Sequence, residues 1–270
     1  LTDVTGVQTC ALPIWASPRG PEMQGLRSAI RTLTLIPVPA GGSEDLGRAL
    51  PWFPVAGLIL GSALYAVDLA FRQFPLTPWP AGTALLIVAL QTVLTRGLHL
   101  DGLGDWADSL GGYLDREKRL AIMKDVHIGA FGVVAIGLDL LAKWIACERL
   151  VSAGRAAFLI PVAALSRGML VWLISTLPYA RAGEGMGRPF VQGATPGRCA
   201  AALAICLSAC LPFGLAGIGF FALAWATAVL LGLRWRRSFG GITGDLLGTA
   251  NEGLEIVLLL AAAWFVNLPS

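Results

Sequence analysis

The residues most able to do chemistry lie in one stretch, His99–Gly112, which reads HLDGLGDWADSLGG. It carries Asp101, Asp105 and Asp108, with His99 two residues ahead of the first. Helical steps of i, i+4 and i+7 put the three carboxylates on one face. Like charges on one stripe repel, so a helix gains nothing from them unless something positive sits there. A hard divalent cation such as Mg²⁺ prefers carboxylate oxygen and commonly takes one or two carboxylates together with substrate phosphates. The competing reading is a solvated acidic loop beside a membrane. Within the stripe, Asp108 is the candidate general base. Asp105 is a second catalytic candidate, and His99 is the rival base or a hydrogen-bond partner of an aspartate.

A second acidic group, Asp245, Glu252 and Glu255, lies in GGITGDLLGTANEGLE, again running into an apolar tract. Spacings of seven and three bring these side chains near one another on a helix. Asp245 and Glu252 therefore join Asp101, Asp105 and Asp108 as candidate metal ligands. The alternative for Glu252 and Glu255 is ordinary acidic charge in the first turn of a helix. Glycines crowd both groups and allow close approach of backbone to a phosphate or to another helix. The GxGxG at 183–187 follows no strand, so it reads as a loop rather than a nucleotide fingerprint. Arg167 falls inside an apolar span, where a charge is costly and faces a polar interior. It would meet a substrate phosphate, one of the aspartates, or Asp139 on the preceding span. Lys143, one turn from Asp139, reads as its structural partner. Arg181 and Arg188 would hold phosphate or simply mark topology. Carboxylate-bound metal together with basic residues at a membrane face points toward phosphoryl-type transfer.

The elements that must position these groups follow from composition. The 270 residues are 56% hydrophobic and only 14% charged, against about 25% charged for a soluble domain. This predicts an all-α, polytopic membrane bundle. A net charge of +3 is too small to suggest nucleic acid. A short interfacial helix is expected from Met23, where Leu26, Ile30 and Leu33 share a face, stopped by Pro37 and Pro39. Seven spans are expected at 51–71, 81–98, 128–147, 156–178, 199–215, 217–233 and 252–269. With the start inside, segments 18–50, 99–127, 179–198 and 234–251 hold fourteen of the Lys and Arg residues, and the outer segments hold only Arg72, Arg149 and Arg155. That asymmetry puts both acidic groups on the cytoplasmic side. Four of the five cysteines, Cys147, Cys199, Cys206 and Cys210, read as apolar packing residues. Residues 1–17, with Cys10, resemble translated adapter sequence and are expected to be a non-native leader ahead of a single domain at 18–270.

Three motifs taken together, LHLDGLGDWADSLGG, RLAIMKDVHIGAFG and GGITGDLLGTANEGLE, resemble the cobalamin 5′-phosphate synthase family, also called adenosylcobinamide-GDP ribazoletransferases. IPVP at 36–39 and PWFPVAGLILG at 51–61 are similar to the same family. The resemblance implies a bacterial inner-membrane enzyme that needs Mg²⁺ and whose site faces the cytoplasm. It would join α-ribazole or its 5′-phosphate to adenosylcobinamide-GDP, giving adenosylcobalamin or its phosphate and GMP. It also implies that Lys124, Asp125, His127, Arg167, Arg181, Thr243 and Glu255 contact substrate. A homo-oligomer or an assembly with other cobalamin enzymes is compatible with it. Two positions depart from the family: Val126-His127 replaces Ser-Arg, and Leu35 stands where an arginine often precedes IPVP. The aspartate-rich DG motif is shared by analogy with CDP-alcohol phosphotransferases. A competing class is an ion-coupled transporter, with Asp68, Asp139, Lys143 and Arg167 forming a path through the membrane.

Overall fold

In a computed structural model, residues 21–39, 45–73, 78–112, 115–183 and 185–265 are described. The leader expected at 1–17 lies outside them. In chain order the helices are α1 (Pro21–Leu33), α2 (Phe53–Gln73), α3 (Pro80–Leu94), α4 (Leu98–Asp108), α5 (Arg116–Ile122) and α6 (Ala130–Ser152). They continue with α7 (Leu159–Thr176), α8 (Arg188–Gln192), α9 (Pro196–Cys210), α10 (Gly214–Ser238) and α11 (Gly244–Phe265). Among the described residues there is no strand, only one parallel bridge between Tyr179 and Ile242. The molecule is a polytopic helical bundle, as composition predicts.

The bundle is arranged around α7, most of whose residues are buried. Small residues let α2 lie directly on it. A Cβ on Gly57 or Gly61 would run into the backbone of Ala163 or Leu159, and such close approach is the main attraction available to helices in lipid. On α6, by contrast, Phe131, Val133, Val134, Leu138, Leu141 and Ile145 face outward, as a lipid-exposed helix requires. Cys147, Cys199, Cys206 and Cys210 are free and buried, in keeping with a packing role.

Among the described residues five apolar helices are long enough to cross a membrane, and α3 and α4 reach that length only when counted together as one bent pair. The expected seven ranges differ from this in two places. Pro196–Phe239 counts as one tract of 44 residues, but it is broken by a 3₁₀ turn at Leu211–Phe213 and by Gly214 at φ 58°. Its halves, α9 and α10, both pack on α7. The other difference is at 95–98, the end of the expected second span. Here Arg96 (φ 56°) and Gly97 (φ 62°) adopt left-handed backbone, and α4 leaves α3 at 88°. So α4 lies across the end of the bundle, outside the spans. Glu252 and Glu255 are also placed differently from the expected first turn of a span. Helix α11 begins at Gly244, so both lie two turns or more inside it, and N-terminal helix charge does not explain them.

Candidate active site

Helices α4 and α11 cross with their backbones nearly touching, and glycine makes this possible. A Cβ on Gly102 would come within 2.7 Å of the Asp245 carbonyl, and one on Gly248 within 3.0 Å of the His99 carbonyl. Thr249 pins the crossing by donating its hydroxyl to the Gly102 carbonyl at 3.0 Å. The start of α11 is set by Thr243, whose buried Oγ1 accepts from Leu246 N at 3.2 Å. Just before it, Ile242 exchanges hydrogen bonds of 2.8 and 2.9 Å with Ala180 N and the Pro178 carbonyl. This ties the segment after α7 to the segment before α11 and delivers Arg181 to Asp245. Arg181 donates to Asp245 Oδ2 at 2.6 Å and to the Met123 carbonyl at 3.2 Å.

The two acidic motifs therefore meet, but not with all their members. Asp101 and Asp105 on α4 are grouped with Asp245. Burial first, then the negative charges of Asp101 and Asp245, push the Asp105 carboxyl up to about 7, with Arg181 opposing them. The group thus holds more negative charge than its one arginine offsets. Asp108, third on the stripe, has both oxygens engaged by backbone. It accepts from Gly129 N at 2.6 Å and Gly132 N at 2.9 Å, closing the N-terminus of α6, whose own Gly129 offers no side-chain cap. Among the described residues no three carboxylate, histidine or cysteine side chains converge as a ready-made metal cage.

Each partner of the Arg181–Asp245 pair lines a hollow. One is a cleft of about 440 Å³ whose walls include Leu33, Phe53, Leu170, Ile174, Phe190 and Leu247, with Asp101, His99 and Asp245 at its polar end. The other, of about 500 Å³, is lined by Arg116, Lys124 and Arg181, among others. Arg116 is a member that no motif in the sequence singles out. It donates to the Ala180 carbonyl at 3.1 Å and packs over Gly240, whose φ of 73° and missing Cβ leave room for the guanidinium. Arg188 lies over the Tyr179 ring, 5.7 Å from its centre. Asp125 and His127 are exposed and pair with each other, Nδ1 to Oδ1, at 2.7 Å. Thus His127 is held by its neighbour rather than by the carboxylate group.

The remaining sequence candidates fall elsewhere. Glu252, Glu255 and Arg167 are buried in the bundle interior with Asp139 and Lys143. Lys143 contacts Glu252, lies 2.8 Å from Glu255 and 3.3 Å from Asp139. Arg167 pairs with Glu255 rather than with Asp139, and Gln91 and Asn251 also donate to Glu255. The carboxylates expected to hold metal (Glu252) and substrate (Glu255) therefore have protein partners inside the bundle. The charges read as a transporter path are linked to one another, except Asp68, which pairs with Arg72 at 2.8 Å. His99 connects the two regions. It lines the cleft, while its Nδ1 lies 3.9 Å from Glu252 Oε1. Burial, followed by the charge of Arg167, holds its imidazole down at about 3, which makes it neutral and a poor proton acceptor.

Comparison with known proteins gives one consistent result. The family described as cobalamin-5-phosphate synthase matches residues 25–263. An adenosylcobinamide-GDP ribazoletransferase from Chlorobium phaeovibrioides is 39% identical over 245 residues, covering 89% of this chain and 97% of that protein. Relatives of the same description from Chlorobaculum tepidum and Syntrophobacter fumaroxidans are each 38% identical, covering 91% and 87% of this chain and 98% and 96% of their own lengths. No solved structure matches.

Proposed function

Because the chain belongs to the cobalamin-5-phosphate synthase family, we propose that it transfers a ribazole nucleoside to the cobinamide phosphate of adenosylcobinamide-GDP across the Arg181–Asp245 pair. The activity is that of an adenosylcobinamide-GDP ribazoletransferase, a membrane transferase of cobalamin biosynthesis. A ribose hydroxyl attacks the phosphorus attached to cobinamide. The new O–P bond forms as the bond to GMP breaks, and the hydroxyl proton passes to a carboxylate.

One observation carries this assignment: an ion pair joins an apolar cleft, which Asp245 lines, to a basic hollow, which Arg181 lines. The cleft suits an aromatic base, and its volume lies at the nucleoside-sized end of the range of about 300–1,000 Å³ for small-molecule sites. The basic hollow suits the diphosphate and the departing GMP, with Arg116, Lys124 and Arg181 as donors. Asp105, beside Asp101 and Asp245, is the proton acceptor. Asp101 and Asp245 would hold Mg²⁺. The surplus of negative charge around Asp105 fits a divalent cation, and two carboxylates plus substrate phosphates is a usual Mg²⁺ donor set. When bound, the ion would neutralise charge on the diphosphate and the leaving phosphate. The site faces the cytoplasm of the plasma membrane, a reading supported by the excess of basic residues on that side.

The test is turnover by the full chain in proteoliposomes. Asp105→Asn should lower kcat about 100-fold or more, the usual weight of a general base, while leaving the Mg²⁺ requirement unchanged. Asp101→Asn should instead raise the Mg²⁺ concentration needed for half-maximal rate. Asp115→Asn is the control. Asp115 caps α5 through Lys118 N at 2.8 Å, a role asparagine fills equally well. Near-normal turnover by Asp105→Asn would remove the assignment.

A further inference from the structure

We propose that the α3–α4 elbow is a phosphate subsite, centred on Arg96, which selects the 5′-phosphorylated form of the ribazole nucleoside over the free nucleoside. The proposal rests on the ribazole-transfer reading and deepens it. It starts from the backbone. Two consecutive residues at the elbow are left-handed, Gly97 at φ 62° and Arg96 at φ 56°. Glycine adopts that region freely, whereas a long side chain there is strained, and such strain concentrates at ligand sites. It holds Arg96 at the rim of the cleft. Arg96 is exposed, and one of its N–H groups donates to the Arg31 carbonyl at 3.0 Å. Among the described residues no carboxylate pairs with its guanidinium, which carries five donors in a fixed fork.

Beyond Arg96 lies a hollow of about 410 Å³, lined also by Ser28, Arg31, Thr32 and Thr34. It adjoins the apolar cleft, because Thr32, Leu46 and Arg96 line both. A ligand whose base fills the cleft and whose attacking hydroxyl faces Asp101 thus has a cationic outlet at Arg96. A phosphate monoester matches it, since a guanidinium fork engages phosphate oxygens in pairs. A free ribose carbon offers that fork nothing. The donor's phosphates already have Arg116, Lys124 and Arg181 in the hollow that Arg181 lines, so this hollow serves a different anion.

Binding of ribazole 5′-phosphate and of ribazole to the full chain in detergent, measured by calorimetry, tests the proposal. Wild type should bind the phosphorylated form about tenfold or more tightly, the size of a charge-assisted pair. Arg96→Gln should remove most of that preference. Arg96→Gly should remove it as well, and because glycine relaxes the left-handed backbone, misfolding would not account for the loss. Arg96→Lys should restore part of it. An unchanged preference in Arg96→Gln, or no preference in wild type, would overturn the subsite. The same phosphate chemistry is found on lipid headgroups. If the effect of Arg96→Gln appears only when anionic lipid is added, the arginine binds the membrane and the proposal fails. Failure of the underlying reading looks different: wild type would release no GMP from adenosylcobinamide-GDP with either acceptor.

Discussion

Asp108 shows how one residue type serves two ends within eleven residues of helix. Asp101 lines the apolar cleft and Asp105 is grouped with Asp101 and Asp245, while Asp108, one turn further, closes the N-terminus of α6 through two backbone amides. The difference predicts different phenotypes. Asp108→Ala should destabilise the protein by about 0.5–2 kcal/mol, the usual weight of an N-terminal cap, and should lower its thermal midpoint in detergent. Asp108→Asn retains an acceptor and should fall between Asp108→Ala and wild type. Asp105→Asn should leave the thermal midpoint near wild type while turnover collapses. The stripe itself is legible in the sequence, because spacing alone puts three carboxylates on one face. The diversion of Asp108 is not, because its partners lie 21 and 24 residues further on and are backbone amides that any residue could supply.

At the scale of elements, the site depends on how closely α4 approaches α11. Gly102→Ala would push a Cβ into the Asp245 backbone, where no flexible side chain can move aside. It should cost about 1–3 kcal/mol of stability, as overpacking does, and it should lower turnover by shifting Asp101 and Asp105 away from Asp245. Gly137→Ala, in the middle of α6 with nothing near its Cβ, should leave turnover unchanged and raise the thermal midpoint, since alanine is the better helix former by about 1 kcal/mol. Both outcomes can be read from melting curves and initial rates of the two variants. The glycine-rich character of both motifs is plain in the sequence. The elbow is what hides the architecture there. An apolar run continuing to Leu98 reads as one straight span, and only the left-handed pair Arg96-Gly97 turns it through 88°. Gly97 is a signal of that turn. Arg96 is not, because arginine seldom adopts that conformation.

On the scale of the whole molecule, the charges inside the bundle and those at its end follow separate logics. The interior group has three carboxyls, Asp139, Glu252 and Glu255, against the cations Lys143 and Arg167. Lys143→Met would leave those three carboxyls facing one cation and should destabilise the fold by about 3–5 kcal/mol, the cost of breaking a buried pair from one side. Glu252→Gln removes part of the surplus and should be the milder change, a contrast that shows in the yield of folded protein and in detergent melting. Sequence groups Glu252 and Glu255 with the aspartates because distance along a helix is legible, whereas their partners on α6 and α7 are not. Sidedness is also testable in a cysteine-free background. Cysteines placed at the exposed Lys118 and Met186 should both resist impermeant thiol reagents in intact cells and both react in inverted vesicles.

The interior group also constrains how the protein is made. Helix α11 carries Glu252 and Glu255 in the middle of an apolar segment, and an acidic side chain at that depth opposes release into lipid by about 2.5–3.5 kcal/mol. Its counter-charges, Lys143 and Arg167, belong to α6 and α7, which leave the ribosome earlier. Lys143 can wait in the bilayer beside Asp139 on its own helix, one turn away. The order of synthesis therefore places a cationic acceptor in the membrane before the acidic helix arrives. Translation halted after α10 would strand Arg167 without Glu255, giving a stalled chain the unpaired intramembrane charge by which quality-control proteases could tell it from the finished enzyme.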